Sequence, residues 1–352
     1  MSSRITEFTI GDVKFTNPFT RQYHENIQRL FEKQEDMVWT SREIKFDKDV
    51  VEFKTLQPGE RFYVGKITSF FLITDDAIGK IIGSRLIDEV DIDESKSFFK
   101  LQEHMENVHA KTYKRTASEL FPTTEEQDEL LEEAIGWKDE NVDRSNTAIS
   151  KKIRWCTKWI TSDKPLGERL IAMTLVELVL FSSSFAGIYW FKSRGKLPGL
   201  SFSNEKISVD EKLHGIHDSV AYITLVVEKK IEAVDNEVIY AMTREVVDAE
   251  CEFVRECLPE PMLDISAEKM CQYVKFAADV ALSFLDVKPL YGDKNPFPFM
   301  DLLSLTGKTD FFVRQVSEYL TGFREYKKGD NIINKFTLTP EDDIINFTET
   351  SV

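Results

Sequence analysis

Apolar side chains recur along most of the chain at steps of three and four residues, which is the spacing of one face of an α-helix. The segment from Glu60 to Asp88 is an example, with apolar residues at Phe62, Val64, Ile67, Phe70, Phe71, Ile78, Ile81 and Ile82. Few segments alternate with the two-residue period of a strand, and glycine and proline number only 15 and 11 in 352 residues. The pattern therefore predicts an all-α protein made of long helices.

Further helical segments follow along the chain, separated by turn and capping residues. They comprise Ser97 to Leu120, an acidic helix after Pro122, a helix with Trp155 and Trp159, a long apolar segment, a helix with Asp210 to His214, and helices near 237–256 and 266–286. Ser203 and Asn204 are predicted to cap the helix that carries Asp210. From about Lys327 the chain becomes polar and acidic, which predicts a mobile tail.

The apolar segment from Ile171 to Phe191 raises the question of a membrane span. It has 21 residues with Glu177 as its single charge, and a segment of that length can cross a bilayer. A helix buried on all sides of a large bundle has the same composition, and a central carboxylate is costly in lipid. We therefore interpret the segment as a core helix and expect no membrane contact.

The composition indicates which partners the protein can bind and in which cellular compartment it works. The formal net charge is −16 and the pI is about 4.9, which argues against nucleic acid as a partner. The cysteines, at Cys156, Cys251, Cys257 and Cys271, include no C-x-x-C pair and are interpreted as buried thiols in a reducing compartment. The first residues lack the continuous apolar core of a secretory signal, so we expect a cytoplasmic protein.

Two of the five histidines follow a glutamate by three residues, in Glu106-x-x-His109 and Glu211-x-x-His214. Positions i and i+3 share a helical face, so each pair can offer an oxygen and a nitrogen to one metal ion. A single copy of this motif is weak evidence, because a surface ion pair would look the same.

A second pair of carboxylates makes the metal interpretation stronger. Asp75 lies 31 residues before Glu106, and Glu177 lies 34 residues before Glu211, so each half has a carboxylate on one helix and Glu-x-x-His on the next. This is the ligand set of ferritin-like di-iron carboxylate bundles, except that these bundles have a glutamate where this chain has Asp75. Four buried carboxylates would be costly unpaired, but their charge matches two divalent cations, and histidine with carboxylates suits iron or manganese better than zinc.

Tyr113 is a candidate for redox chemistry beside this site. It follows His109 by four residues and therefore shares its helical face. A tyrosine in this position is also compatible with a simple core role. Phe181, Phe185 and Ile207 are placed by their spacing to form a dry wall around it, which an oxidised tyrosine would need.

Several long motifs resemble the small subunit of class I ribonucleotide reductase of the eukaryotic type. The strings are MENVHAKTY, VELVLFSSSFAGIYWFKSRGKLPGLSFSNEKISVDEKLH, NPFPFMDLLSLTGKTDFF and KFTL, and the resemblance runs from about Asn17 to Leu338. It implies an N-terminal arm over residues 1–16, a ferritin-like di-iron helical domain over 17–326, and a docking tail over 327–352.

The resemblance also implies the cofactor and the residues that hold it. Asp75, Glu106 and His109 would bind one iron ion, and Glu177, Glu211 and His214 would bind the other, with Glu106 and Glu211 bridging and with manganese as an alternative metal. The two ions would activate dioxygen and oxidise Tyr113 to a stored radical.

Radical transfer to a large subunit, where ribonucleotides are reduced, is implied in the same way. Trp39 and Asp210 match the family's relay from His109 to the surface, and Tyr319 matches the tyrosine that passes the radical to the partner. The tail would dock through Phe336, Leu338 and Phe347, and the working form is expected to be a homodimer.

One departure and two alternatives accompany this interpretation. The family's chain usually stops shortly after the FTL string, whereas this chain continues through KFTLTPEDDIINFTETSV, so Phe347 is not terminal. A di-iron oxidase or iron-storage protein would use the same ligands but would not need Trp39, Asp210 and Tyr319. A metal-free scaffolding paralogue would be expected to have lost ligands, and all six are present.

Overall fold

The computed structural model describes residues 7–10, 12–16, 23–81, 86–135, 147–161 and 163–300. For residues 75–81 and 133–135, and for most of the N-terminal strands, it describes the backbone alone. The helices are α1 (Glu25–Asp36), α2 (Asp47–Phe53), α3 (Pro58–Ile81), α4 (Ile87–Glu89), α5 (Asp93–Leu120), α6 (Thr124–Ile135), α7 (Ala148–Ile160), α8 (Leu166–Leu175), α9 (Ser182–Ser193), α10 (Pro198–Val227), α11 (Asn236–Cys257) and α12 (Ala267–Phe284). A π-helical turn (Val176–Leu180) joins α8 to α9, and a 3-10 turn (Ser41–Glu43) precedes α2.

The centre of the molecule is a bundle of α3, α5, α10 and the α8–α9 segment. Helix α3 packs along α5, α10 packs against α8, α9 and the π turn, and α5 also contacts α10. Helix α1 covers α5 and α10 on one side, while α7, α11 and α12 cover the α8–α9 segment on the other. The predicted all-α bundle is therefore confirmed.

A short β-hairpin in the N-terminal arm is an exception to the all-α prediction. Strands β1 (Glu7–Ile10) and β2 (Val13–Thr16) pair antiparallel, with Glu7 opposite Thr16 and Ile10 opposite Val13. The apolar residues of this segment do alternate in the sequence, but over too few positions to outweigh the longer helical pattern.

The apolar segment is buried in the bundle, as predicted, but it is not one regular helix. Leu166–Ser193 is long and apolar enough to cross a membrane, yet 94% of its most apolar window is buried inside the protein. The π turn interrupts it at Glu177. Immediately after the turn, the Ser183 backbone N–H donates to Glu250 Oε1 at 3.2 Å, which satisfies a donor that the irregular turn leaves free. π turns inside α-helices are frequent at functional sites.

Helix α10 begins earlier than the sequence predicted, and its cap comes from another helix. The buried Asp49 carboxylate accepts hydrogen bonds from the N–H groups of Gly199 and Leu200, each at 2.8 Å. Pro198 occupies the first helical turn, where its missing donor costs nothing. The prediction that Ser203 and Asn204 cap this helix is wrong, because both are buried within it. A cap from a distant segment has no local sequence signal.

Gly199→Ala should destabilise the fold by about 1–3 kcal/mol, the usual cost of forcing an extra carbon into a packed site. An ideal Cβ at Gly199 would lie 2.2 Å from the Lys45 backbone oxygen and 2.8 Å from Asp49 Oδ2. Urea denaturation measures the change.

Gly59→Ala is the matched control, because a Cβ there meets only Met262 Sδ at 3.9 Å. This variant should be neutral or slightly stabilising, since alanine favours helix over glycine. Equal free energies of unfolding for the two variants would contradict the close approach of α10 to the segment before α2.

Candidate metal centre

The candidate metal ligands lie on α5, α10 and the π turn. Helix α5 carries Glu106 and His109, and α10 carries Glu211 and His214; each of these side chains is at most 2% exposed. Glu177 in the π turn is 3% exposed. Because i and i+3 share a helical face, each Glu-x-x-His pair faces the other across the α5–α10 interface.

The two Glu-x-x-His pairs interlock, so that each glutamate lies between the two histidines. Glu106 places Oε2 3.4 Å from His109 Nδ1 and Oε1 3.1 Å from His214 Nδ1. Glu211 places Oε1 3.1 Å from His109 Nδ1 and Oε2 3.0 Å from His214 Nδ1. Two carboxylates with this arrangement can each bridge two metal ions, with one histidine nitrogen at each ion.

Glu177 completes a compact donor group on the His214 side. One ligand atom from each of Glu106, Glu177, Glu211 and His214 lies within 4.8 Å of all the others. The Gln102 amide donates to Glu177 Oε1 at 2.9 Å, which fixes the orientation of that carboxylate. The π turn shifts the helical register locally and thereby determines where Glu177 is presented.

The charges of the site depend on one another. Burial disfavours the charged form of every member, yet His109 and His214 hold the pKa of Glu211 below its usual range. Burial likewise lowers the pKa of His214, but Glu106 and Glu211 overcome this effect and raise it to about 9. Burial, Glu211 and Glu106 all raise the pKa of Glu177 well above its ordinary value. In the absence of cations, the directions of these shifts favour a proton on Glu177 and on the histidines, while Glu211 keeps its charge.

The donor set fits divalent metal ions. Glu177 Oε2 is buried without a hydrogen-bond partner among the described residues, and buried polar atoms are rarely left so. Carboxylate oxygens with imidazole nitrogens, and no thiolate among them, suit iron or manganese better than zinc. A buried Glu/His cluster that can hold a di-metal site is thus present.

Asp75, the remaining predicted ligand, lies on α3, which packs along α5, but its side chain lies outside the described residues. Four further predicted residues also lie outside them: Tyr319, Phe336, Leu338 and Phe347. Their roles stay predictions.

Tyr113 lies two turns beyond Glu106 on α5 and is 1% exposed. Its ring stacks on Phe71, with centroids 4.2 Å apart and planes 4° apart. Phe71 in turn contacts Phe181 and Phe185, at centroid distances of 5.9 and 5.4 Å. Phe71, which was not predicted, is thus the ring that stacks on the tyrosine, and Phe181 and Phe185 lie behind it. The predicted wall of Phe181, Phe185 and Ile207 around Tyr113 stays a prediction.

Trp39 and Asp210 form a hydrogen-bonded chain that ends at His109. The Trp39 indole N–H donates to Asp210 Oδ2 at 2.8 Å, and His109 Nε2 lies 3.0 Å from the same oxygen. The Trp39 and His109 rings are also stacked, at 5.9 Å. Trp39 and Asp210 are both nearly fully buried. The chain connects the metal centre with the segment that follows α1.

Some residues of the site were missed by sequence reasoning. Gln102 lies four residues before Glu106, so helical spacing could have placed it beside the site. Gln34, on α1, lies with its Nε2 2.7 Å from His214 Nε2, and no local signal connects the two. Rotation of this amide about its last bond exchanges donor for acceptor, so Gln34 can serve either histidine tautomer.

Comparison with known sequences identifies relatives over most of the chain. The model of a family described as ribonucleotide reductase, small chain, matches residues 16–296. The protein is 34% identical over 296 residues to a ribonucleoside-diphosphate reductase small chain of Arabidopsis thaliana, covering 84% of its own length and 83% of the plant protein. It is also 34% identical over 301 residues to the ribonucleoside-diphosphate reductase small chain of Vaccinia virus (strain Ankara), covering 86% and 90%.

Solved structures with the same fold include the ribonucleotide reductase Rnr4 homodimer from Saccharomyces cerevisiae. The TM-score is 0.70 at 22% identity, over 83% of this protein and 90% of that one. Dimanganese(II)-NrdF of Streptococcus sanguinis matches with a TM-score of 0.67 at 20% identity, over 82% of this protein and 98% of that one. These neighbours confirm the predicted ferritin-like bundle.

The metal-free protein should lose stability as the pH rises from about 6.5 to about 9. A histidine whose pKa is raised from 6.5 to about 9 on folding, as at His214, stabilises the fold below the lower value. This stabilisation is lost as the pH rises through the higher pKa, about 9. Chemical denaturation should show a decrease on the order of 1–3 kcal/mol over this window.

Two variants and the addition of a metal ion test whether His214 causes this pH dependence. His214→Gln should reduce the dependence, leaving the part due to His109, whose pKa is also raised. His104→Gln, at an exposed position on the same helix as Glu106, should retain the full dependence. Added manganous ion should also remove it, because metal binding displaces the proton. A wild-type slope in His214→Gln would contradict the assignment.

Proposed function

Because the chain belongs to the ribonucleotide reductase small-chain family, we propose that it holds a di-iron centre that oxidises Tyr113 to a stored tyrosyl radical. Its activity is that of a ribonucleoside-diphosphate reductase small chain, an oxidoreductase. The observation that carries the proposal is the interlocked pair of Glu106 and Glu211, each facing both His109 and His214.

The proposed ligands divide between two ions. Asp75, Glu106 and His109 would hold one, and Glu177, Glu211 and His214 the other, with Glu106 and Glu211 shared. When bound, the iron ions supply the reduction of dioxygen and the oxidising equivalent, and manganese is the alternative metal. Gln102 and Gln34 orient Glu177 and His214, and such outer contacts raise affinity and fix ligand geometry.

Tyr113 is proposed as the residue that is oxidised and that stores the radical. It is buried against Phe71, and the neighbouring Phe181 and Phe185 extend the apolar wall. These rings carry no exchangeable proton and exclude water, so they offer the oxidised ring nothing with which to react. A phenolic side chain can give up an electron together with its hydroxyl proton, which a phenylalanine cannot.

The hydrogen-bonded chain from His109 through Asp210 to Trp39 is proposed as the exit route of the radical. An indole ring can be oxidised, and Asp210 can hold the indole proton because its Oδ2 accepts from Trp39 Nε1. Tyr319 is proposed, from the resemblance alone, as the next carrier toward the large subunit. The large subunit is then the partner on which ribonucleotides are reduced.

The chain would be organised in three segments and would work as a dimer. The N-terminal arm would span residues 1–16, the di-iron domain 17–326 and the docking tail 327–352, with two copies of the chain forming the working dimer. The location would be cytoplasmic, which agrees with thiols that are free and buried at every cysteine.

Tyr113→Phe should abolish the radical while leaving the fold and metal binding intact. The metal-free protein is mixed with ferrous iron and oxygen, and the tyrosyl signal is followed by electron paramagnetic resonance. Loss of one hydroxyl at constant ring size should cost less than about 1.5 kcal/mol of stability. Activity with the large subunit should disappear with the signal.

The matched control is Tyr63→Phe, which removes the hydroxyl of another buried tyrosine that packs on Phe191. This variant should keep the full radical signal. A tyrosyl signal that persists in Tyr113→Phe would assign the radical to a different residue.

A synthetic peptide covering residues 334–352 should inhibit the holoenzyme by competing for the large subunit. The proposed anchors are Phe336 and Leu338, since buried apolar side chains commonly dominate such interfaces. A peptide in which both are replaced by alanine is the control and should not inhibit.

Truncation after Lys328 should leave the Tyr113 radical intact and remove activity. Normal turnover by the truncated chain would place docking elsewhere.

A further inference from the structure

We propose that Asp218, His217 and Ser95 form a buried proton path from the surface to the metal centre. The path reaches the His214 side of the centre and is separate from the chain of Trp39, Asp210 and His109. The inference rests on the proposed function, because it gives these residues a role in the oxygen chemistry of that centre.

The three side chains form one hydrogen-bonded line. His217 Nδ1 lies 3.3 Å from Asp218 Oδ1, and His217 Nε2 lies 3.1 Å from Ser95 Oγ. None of the three is more than 1% exposed. The His217 ring is held by stacking on Phe98, with centroids 3.8 Å apart and planes 6° apart, and by the edge of Phe99.

The inner end of this line lies beside the metal centre. Asp218 follows His214 by four residues on α10 and therefore lies one turn away on the same face. The π turn approaches α10 closely here, because a Cβ on Gly215 would lie 3.2 Å from Glu177 Cβ. Asp218 Oδ2 is buried and has no hydrogen-bond partner among the described residues. A carboxyl oxygen so placed is available to a group at the centre.

The outer end of the line lies beside a surface ion pair. Ser95 is next to Glu94 in the first turn of α5. Glu94 Oε2 lies 3.0 Å from His24 Nδ1, and His24 Nε2 lies 2.8 Å from Glu228 Oε1. The His24 side chain is 12% exposed, so this cluster touches solvent. The outer end of the line is therefore one residue along α5 from an ion pair that touches solvent.

The charges around the line favour a neutral pair that carries one removable proton. Burial raises the pKa of Asp218 well above its usual range, and Glu106 adds to this effect although His214 opposes it. Burial and His214 lower the pKa of His217 well below its ordinary value. Both shifts favour the uncharged form of each group, in which Asp218 carries a proton that it can donate.

The transfer moves protons and no electrons. The Asp218 Oδ2–H bond breaks as its proton passes to a group at the centre, and His217 Nδ1–H gives its proton to Asp218 Oδ1. His217 Nε2 takes the Ser95 hydroxyl proton, and a proton from solvent replaces it at Ser95. One proton enters at Ser95 for each proton delivered at Asp218. Since none of the three side chains is readily oxidised, the line cannot divert the radical.

The test uses Asp218→Asn and His217→Phe in the full-length chain. Asparagine keeps the shape of Asp218 without the removable proton, and phenylalanine keeps the stacking of His217 without its nitrogens. Ser95→Ala is a milder third variant that preserves the fold. The control is Ser219→Ala, which removes a neighbouring buried hydroxyl that contacts Thr174 and not the line.

The first readout is the infrared spectrum of the metal-free protein at neutral pH. Glu177 also contributes a protonated-carboxyl band in the metal-free protein, so the difference spectra between variant and wild type are compared. The Asp218 component should disappear in Asp218→Asn, shift in His217→Phe and remain in Ser219→Ala. An unchanged band in Asp218→Asn overturns the inference, whether or not the wild type forms a radical.

The second readout is the rate at which the Tyr113 signal appears after iron and oxygen are added, in water and in deuterium oxide. Asp218→Asn and His217→Phe should be slower by about 10²-fold, the usual contribution of a positioned proton donor, with a larger solvent isotope effect. Ser95→Ala should be slowed less, and Ser219→Ala should match the wild type.

Unchanged rates and isotope effects in all three variants overturn the proton path. The proton path is also overturned if Ser95→Ala binds less metal or melts at a lower temperature, and this loss accounts for its slower rate. The three residues would then have a structural role only. A wild-type protein that binds metal but forms no radical contradicts the proposed function instead.

Discussion

The burial of mutually dependent charges between α5 and α10 determines much of this structure. Glu106, Glu177 and Glu211 lie in an apolar interior together with His109 and His214. Each ion alone would be strongly disfavoured there, so the group is stable only when its members share protons or bind cations. The opposite pKa shifts of Glu177 and Glu211 express this dependence, because one carboxyl becomes neutral while the other keeps its charge beside two imidazoles.

This constraint explains why regular helical geometry is abandoned at one position. Two long helices related by the Glu-x-x-His spacing can present two glutamates and two histidines without distortion. The carboxylate of Glu177 comes from a third segment, and there the backbone adopts a π turn. The hydrogen bonds from Gln102 to Glu177 and from Ser183 to Glu250 hold both the ligand and the irregular backbone in place. The local loss of regular structure is thus compensated by contacts from α5 and α11.

The parts of this arrangement that were predictable from sequence are those set by helical period. The helical bundle and the proximity of Glu106, His109, Glu211 and His214 follow from spacing along two helices. The π turn, the Asp49 cap on α10 and the approach of Gln34 to His214 depend on contacts between segments far apart in sequence. The hairpin was missed for the opposite reason, since its period-two signal is local but very short. Contacts between segments far apart in the chain produce no periodic pattern in the sequence.

The antiparallel register of α5 and α10 separates the two proposed transfers, of protons and of the radical, in space. Ser95 faces His217 at one end of the interface, Glu106 faces His214 near the middle, and His109 faces Asp210 beyond it. Tyr113 lies further along α5, so at 1.5 Å per residue it stands about 27 Å from Ser95 along the helix axis. If Tyr113 is oxidised as we propose, it must be kept from water and mobile protons, whereas the oxygen chemistry proposed for the centre consumes protons. Both requirements are met if protons enter at the Ser95 end, since Tyr113 is buried against Phe71 at the other end.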